Sequence, residues 1–226
     1  MTGPGGLTYE RYNVFGFEEW MMRIGAIDAP PILFVPPLFE ELNRTRALIA
    51  AMMRALAARG FGCWLPDLPG TGESERTLGE VDWQDWRQGV SEASDHAAAA
   101  SGRAPVTASI RGGCLLDDAA EAAGHWRLAP VAGASIGRDM ERAGLAGGVA
   151  WAGYEPSPGL RAGLDSAEPA ELARLRTLRL ASDRGEADAR IEGPALWRRS
   201  EPGNSPALAQ AAAADLADWA RRCADC

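Results

Sequence analysis

Short apolar segments alternate with amphipathic ones along most of this chain, and this alternation constrains its fold more than any other feature. Strand candidates lie at 31–35, 63–65, 106–110 and 126–131. Helix candidates lie between them, from a cap at Asn43 or Thr45 to about 59, at 81–100 and at 113–123. In the first of these, Leu48, Ile49, Met52, Met53 and Leu56 recur at helical spacing. The repetition predicts an α/β fold with a mostly parallel sheet flanked by helices.

Both ends of the chain extend this pattern. Residues 7–13 and 17–24 predict an antiparallel hairpin at the sheet edge, and later segments predict strands at 178–182 and 189–192 and a helix at 207–222. Between them, 144–169 is rich in Gly, Ala and Pro, which favours loops and short helices forming a reduced cap. With 226 residues and 46% hydrophobic content, one domain over 1–226 is expected.

The segment Ser109-Ile110-Arg111-Gly112-Gly113 follows a predicted strand and leads into a predicted helix. In a nucleophile elbow, G-x-S-x-G, small residues flank a strained turn that projects the central side chain above the sheet. Here Ser109 and Gly113 are the small flanks, and Arg111 is the residue that would project. A guanidinium cannot attack an acyl carbon, so this elbow predicts no serine nucleophile. Ser109 is interpreted as a spacer, with a displaced nucleophile as the alternative.

A second elbow match is Gly133-Ala134-Ser135-Ile136-Gly137. In enzymes built on this elbow, the acid and then the histidine follow the nucleophile along the chain. Asp183 stands where the acid could lie, but His96 and His125, the only histidines, both precede Ser135. Ser135, Ser109 and Asp183 are therefore catalytic candidates that do not assemble into a Ser-His-Asp triad in this order.

The loop after the first buried strand, Pro36 to Asn43, lies where an oxyanion hole would need backbone N–H donors, and its two prolines have none. Glu40 and Glu41 could act as general acid and base, but consecutive side chains rarely converge, so at most one should point inward. A pocket is expected to be formed by Pro37, Phe39, Glu40, Glu41, Asn43 and Arg111. A partly buried Arg111 needs an anion, and one of the two glutamates is the expected partner.

A Gly-rich segment, Asp67 to Ser74, predicts a tight turn after the second buried strand. Its Gly70-x-Gly72 pattern is similar to a dinucleotide fingerprint but lacks the third glycine, since position 75 is Glu75. Asp67, Gly70 and Gly72 are therefore interpreted as a structural turn in which the glycines adopt positive φ.

Composition excludes several function classes. All 23 basic residues are arginines, which excludes Schiff-base and P-loop lysine chemistry. The formal charge of -8 argues against nucleic acid as a partner. No histidine lies in a metal-binding spacing, so neither a metal nor another cofactor is expected. No segment approaches the length of a membrane span and no signal peptide is evident, so a cytoplasmic protein is expected.

Four cysteines are present, and two of them end the chain with C-x-x-C spacing, Cys223 and Cys226. Cys63 and Cys114 fall on segments that should be buried. Because no second ligand pair accompanies the terminal two, they are expected to be free thiols in a frayed tail rather than a metal or redox site.

Three patterns together resemble one protein family. They are Pro36-Pro37-x-Phe39-Glu40-Glu41-x-Asn43-x-x-Arg46, Asp67-Leu68-x-Gly70-x-Gly72-x-Ser74 and Ile110-Arg111-x-Gly113-x-Leu115-Leu116. A further, weaker match is Gly193-Pro194-x-x-Trp197. In this order they resemble the exosortase A system-associated hydrolase 2 family, α/β-hydrolase-like proteins encoded beside exopolysaccharide and protein-sorting systems. The chain departs from that pattern in being short and in carrying Ser109 where glycine is expected.

The resemblance implies an α/β-hydrolase-like sheet and makes Arg111 a family feature. It also implies a binding or accessory protein of an exopolysaccharide or protein-sorting locus, with a small acyl or anionic ligand. Two alternatives stay open: an ester or thioester hydrolase with an atypical nucleophile, and a structural scaffold with an occluded pocket.

Overall fold

In the computed structural model, which describes residues 6–148 and 150–224, one eight-stranded sheet runs through the molecule. The strands are β1 (Leu7–Val14), β2 (Phe17–Ile24), β3 (Pro31–Val35), β4 (Gly62–Pro66), β5 (Val106–Ile110), β6 (Gly124–Leu128), β7 (Leu175–Leu180) and β8 (Ala189–Ile191). Their order is β1-β2-β4-β3-β5-β6-β7-β8. Strand β2 is antiparallel to β1 and β4, and all other pairs are parallel. The predicted α/β fold is confirmed.

The helices cover both faces of the sheet. They are α1 (Glu40–Ala57), α2 (Trp83–Ser101), α3 (Gly133–Gly147), α4 (Pro158–Ser166) and α5 (Pro206–Ala224). Apolar residues of α1 and α5 pack on one face, and those of α2, α3 and α4 pack on the other. The parallel strands β3 and β5 are buried along their whole length, as expected for a sheet covered on both sides.

Helix α1 begins earlier than its predicted caps. Neither Asn43 nor Thr45 caps it, because both lie within the helix that starts at Glu40. Thr45 instead donates its hydroxyl hydrogen bond to the Glu41 carbonyl, and Asn43 donates its side-chain amide to the Glu40 carboxylate. The helix start is stabilised by Glu40 and Glu41 in the first turn, where negative charge suits the helix dipole.

The predicted helix at 113–123 is wrong. The chain forms two short 3-10 turns there, Arg111–Leu115 and Asp117–Ala119. Tertiary ion pairs hold this connection: Arg127 on β6 binds Asp117, and Arg87 on α2 binds both oxygens of Asp118. These contacts outweigh the helix propensity of the alanine-rich segment.

Two further boundaries differ from their predictions. Strand β6 ends at Leu128, so the chain has already turned before Gly133, where α3 begins. At the C terminus, α5 continues to Ala224 and buries the Cys223 thiol in the core, which contradicts the frayed tail expected at that residue. Cys226 lies outside the described residues.

The Gly-rich turn after β4 has the positive φ values expected at its glycines. Gly70 and Gly72 adopt φ values of 78° and 56°. A Cβ on Gly72 would collide with the Asp67 carboxyl group, which itself accepts a hydrogen bond from the Glu73 N–H at 3.1 Å. The turn therefore needs glycine for both conformation and space.

Within 144–169, the described residues form the end of α3, a short turn at Ala150–Gly153 and α4. None of the described helices is both long and apolar enough to cross a membrane.

Candidate functional site

The candidate site lies at the carboxyl ends of the two central strands. β3 pairs with β4 on one side and with β5 on the other, so the direction of the chain connections reverses between these strands. In open α/β sheets, ligands bind in the crevice that this reversal creates. The Pro36–Phe39 loop leaves β3 here, and Arg111 leaves β5 beside it.

Arg111 has the strained backbone of an elbow residue, with φ of 55° directly after the extended Ile110. A Cβ on Gly112 would press against Ile136 and Leu38, and one on Gly113 would collide with the Val35 carbonyl oxygen. The two glycines therefore let the turn pack tightly between the β3–α1 loop and α3. The turn shares the strained central residue and the close glycine packing of a nucleophile elbow, but a 3-10 turn and not an α-helix follows it, and its central side chain is arginine.

Glu41 binds this elbow through both carboxylate oxygens. Its Oε1 accepts a hydrogen bond from Arg111 Nε at 2.8 Å and also lies 2.8 Å from Arg111 Nη2 in an ion pair. Its Oε2 accepts the Gly112 N–H at 3.3 Å. Both side chains are nearly buried, and burial raises the pKa of the Glu41 carboxyl group although Arg111 acts against this. The predicted pairing of Arg111 with one of the two glutamates is confirmed.

The Gly112 N–H lies at the position of an oxyanion-hole donor. In α/β-hydrolases, the N–H of the residue after the nucleophile forms half of the oxyanion hole. Here that donor is held by the Glu41 carboxylate. The β3–α1 loop supplies no replacement at its start, because the carbonyl oxygens of Val35 and Pro36, which are acceptors, lie against Gly113.

Trp197 covers the other side of the Arg111 guanidinium. The Arg111 Cζ lies 5.3 Å from the centre of the indole ring, a cation–π distance. Arg44 on α1 donates a hydrogen bond to the Trp197 carbonyl at 3.0 Å and fixes this segment, which follows β8. The chain segment after the last strand, where a triad would carry its histidine, thus presents a tryptophan to the elbow.

Two clefts flank this arrangement, and Arg111, Trp197 and Arg198 line both. The larger, of about 560 Å³, is also lined by Glu41 and by Asp139 and Arg142 of α3. The smaller, of about 240 Å³, extends toward Asp183 and Arg184. Sequence reasoning did not single out Arg198 or Arg184, and it named Trp197 only within a resemblance pattern.

The remaining predicted pocket residues form a separate cluster. The Tyr154 hydroxyl donates a hydrogen bond to the Glu40 carboxylate and accepts one from the Asn43 side-chain amide. Burial and the Glu40 carboxylate raise the pKa of Tyr154 to about 12, although the Asn43 hydrogen bond acts against this. The Phe39 ring, at a residue with φ of 52°, packs against Trp86, Trp151 and Tyr154. Pro37 is buried in the loop before them. The structure therefore brings only Glu41 into direct contact with Arg111 among these residues.

The second elbow match has a packing explanation. Ser135 lies in the first turn of α3, and its hydroxyl accepts a hydrogen bond from Arg138 at 2.8 Å. A Cβ on Gly133 would collide with the Leu164 carbonyl oxygen, and one on Gly137 would meet the Asp165 carboxylate. The glycines of this motif therefore allow α4 to approach α3 closely.

Among the described residues, no hydrogen bond joins Ser109, either histidine or Asp183 to another member of this set. Ser109 is fully buried on β5, and its hydroxyl has no hydrogen-bond partner among the described residues. His125 bonds the Thr107 hydroxyl at 2.9 Å, and His96 contacts Glu10 at 3.2 Å.

Both oxygens of the Asp183 carboxylate are already bound, by Arg179 and by the Gly185 N–H. Burial alone would raise the pKa of Asp183, but these hydrogen bonds outweigh it and hold the pKa below its usual value. In the described part of the chain, no three His, Cys, Asp or Glu side chains are grouped so as to hold a metal ion.

Comparison with solved structures defines the fold. A thioesterase domain from the curacin biosynthetic pathway is similar over 96% of this chain and 99% of its own length, with a TM-score of 0.54 and 12% identity. The chain has an α/β-hydrolase fold. At this identity the likeness shows the fold alone.

Two other matches are partial. A 2-hydroxy-6-oxo-6-phenylhexa-2,4-dienoate hydrolase from Rhodococcus sp. strain RHA1 matches with 14% identity and a TM-score of 0.45, over 57% of this chain and 48% of its own. An epoxide hydrolase from Vigna radiata matches with 16% identity and a TM-score of 0.41, over 54% and 40%. This chain thus spans less than half the length of each of these two hydrolases. No protein-family model and no curated protein matches the sequence.

Proposed function

We propose that this α/β-hydrolase-fold protein binds a ligand without hydrolysing acyl esters. The observation that carries the proposal is the Glu41 carboxylate, which holds both the Arg111 guanidinium and the Gly112 N–H. An oxyanion hole works when preorganised donors point at the place where negative charge develops. A donor that already binds a carboxylate cannot stabilise a second negative charge at the same place.

Three parts of a serine-hydrolase site are absent or occupied in this arrangement. Arginine replaces the nucleophile, Trp197 faces the elbow from the segment where a histidine would follow, and the free donor is gone. Members of a catalytic triad act as a unit, so each missing part alone removes most of the rate enhancement. A retained fold with a replaced site is consistent with binding, since function depends on the site rather than on the fold.

The wider role in this proposal rests on the sequence resemblance. The protein is an accessory protein of an exopolysaccharide or protein-sorting locus, acting as one domain with the 144–169 segment as a reduced cap, and its ligand is a small acyl or anionic molecule. This part is tested by the genes that flank the coding sequence. Neighbouring exopolysaccharide or sorting genes are expected, and their absence would overturn the locus role alone.

Activity is tested on the purified full chain with a panel of short acyl esters and acyl thioesters. We expect no turnover above a heat-treated sample and no covalent labelling by a fluorophosphonate, which reacts with activated serines. Ser135→Ala and Ser109→Ala serve as matched variants. Turnover that one of them abolishes would overturn the proposal and establish an ester or thioester hydrolase with that serine as nucleophile.

A designed variant tests the same proposal from the opposite direction. Arg111→Ser restores the elbow motif but adds neither a histidine nor a free Gly112 N–H, so we expect no labelling by the fluorophosphonate. Arg111→Ala is its control for loss of the ion pair. Labelling of the serine variant, but not of the alanine variant, would show that the rest of the catalytic arrangement is present.

A further inference from the structure

The smaller cleft beside the elbow concentrates positive charge in an acidic protein. This arginine cleft, of about 240 Å³, is lined by Arg111, Arg184 and Arg198, together with Ser182, Asp183 and Trp197. The whole chain carries a formal charge of -8. The local excess of guanidinium groups is therefore a property of this cleft and not of the surface in general.

Two of the arginines that line the arginine cleft have no carboxylate partner among the described residues, because the carboxylates nearby are already paired. Arg111 is neutralised by Glu41, and the Asp183 carboxylate is bound by Arg179 and the Gly185 N–H. Arg184 and Arg198 are exposed. Within residues 6–148 and 150–224, neither of their guanidinium groups has a side-chain hydrogen bond or an ion pair.

Packing and hydrogen bonds hold the segments that line the arginine cleft. Trp197 is buried beneath Arg111, and Arg44 holds the Trp197 carbonyl in place. Arg198 follows Trp197 in the same short turn, Leu196–Arg198. Arg184 follows Asp183, whose carboxylate organises its own loop. Arg184 and Arg198 therefore line the same cleft from two segments whose backbone is held by these contacts.

We infer that the arginine cleft binds a small molecule through a phosphate monoester group. A phosphate monoester carries close to two negative charges at neutral pH and three acceptor oxygens, which match two guanidinium forks and the Ser182 hydroxyl. A carboxylate carries one charge and two oxygens and would leave one guanidinium unmatched. The volume lies below the roughly 300 Å³ at which pockets for drug-sized ligands begin, so the rest of the ligand is small.

This inference rests on the proposed function, because it names the class of ligand that the non-catalytic protein holds beside its elbow. Phenyl phosphate is the probe, and benzoate is the matched carboxylate with the same ring. Each is titrated calorimetrically into the full chain in a phosphate-free buffer of low ionic strength, since salt screens exposed charges.

The test variant is the double substitution Arg184→Gln with Arg198→Gln. Its control is Arg54→Gln with Arg199→Gln, which removes the same charge from two exposed arginines outside the cleft lining. We expect phenyl phosphate to bind the native chain more tightly than benzoate. The test variant should lose about tenfold or more in affinity, and the control should stay within about twofold.

The inference is overturned if phenyl phosphate does not bind the native chain, if the test variant binds it equally well, or if benzoate binds as tightly as phenyl phosphate. Inorganic phosphate, added as a competitor, should displace phenyl phosphate, and failure to do so would show that the ring rather than the phosphate is recognised. Both variants keep the elbow intact, so a negative result in the binding test would not contradict the proposal that the protein does not hydrolyse esters. Turnover in the ester panel would instead overturn the proposed function without affecting the binding result.

Discussion

Two buried arginine–carboxylate pairs each include a residue of the connection that follows β5, and they differ in what surrounds them. Arg127 and Asp117 form a bidentate pair at 2.8 and 2.6 Å, with side chains only 3% and 0% exposed. Arg111 and Glu41 form the elbow pair, with side chains 9% and 11% exposed. The first pair joins residues ten apart, whereas the second joins residues seventy apart.

The partners of each pair show what it does. The third Arg127 nitrogen, Nη1, donates a hydrogen bond to the Ala170 carbonyl at 2.8 Å. The pair therefore connects β6 with the turn at Asp117–Ala119 and with the loop before β7. Burial alone would lower the pKa of Arg127, but Asp117 raises it above its usual value. The elbow pair instead lies on strained backbone, borders two clefts and binds the Gly112 N–H. The enclosed pair fixes a connection, whereas the pair on strained backbone that borders two clefts defines the candidate site.

The largest expected effect is on the enclosed pair. Arg127→Met removes the cation and leaves Asp117 buried without a partner, which should lower the free energy of unfolding by about 3–5 kcal/mol. Urea unfolding followed by circular dichroism measures this loss. Arg87→Met, at the more exposed Arg87–Asp118 pair, is the control and should cost about 1 kcal/mol or less. Equal losses in the two variants would contradict the expectation that the more deeply buried pair contributes more to stability.

The elbow pair should be less costly to break. Arg111→Met leaves Glu41 with the Gly112 N–H and next to the larger cleft, so water can reach the carboxylate, and we expect a loss of about 1–3 kcal/mol. A double-mutant cycle with Glu41→Gln isolates the coupling between the two side chains. A coupling near zero would mean that Arg111 and Glu41 are adjacent without stabilising each other.

The smallest expected effect concerns the elbow backbone. Arg111→Gly and Arg111→Ala both remove the ion pair, but only glycine adopts positive φ without steric cost. We therefore expect the glycine variant to be more stable than the alanine variant by about 1 kcal/mol, the reverse of their order in a helix. Thermal unfolding of the two proteins side by side measures the difference. A more stable alanine variant would show that the elbow relaxes once its side chain is lost.

Strands and long helices could be predicted because their patterns are local. The bounds of β3 and β5 agree with the sequence pattern, since continuous apolar runs mark strands buried on both faces. The connection at 111–123 could not be predicted, because it depends on Arg87 and Arg127, which bind Asp118 and Asp117 from other elements. Local propensity carries no information about such partners.

Part of the candidate site could be predicted for the same reason. The replacement of serine by Arg111 and the need for a carboxylate follow from the motif and from the cost of a buried charge. That Glu41 rather than Glu40 is the partner depends on how α1 is rotated about its axis, and Glu40 bonds Tyr154 instead. The roles of Gly133 and Gly137 depend on the approach of α4, which no five-residue pattern contains.

The Glu41 carboxylate at the Gly112 N–H also limits how a chain like this one can change by successive mutation. A first step to serine at position 111 leaves Glu41 buried without its cation, and a first step that removes Glu41 leaves the Arg111 guanidinium alone. Either order passes through a less stable protein before any catalytic gain can be selected. The interaction that occupies the elbow thus also stabilises the fold, so a change of chemistry at this position has a cost in stability when it is made one substitution at a time.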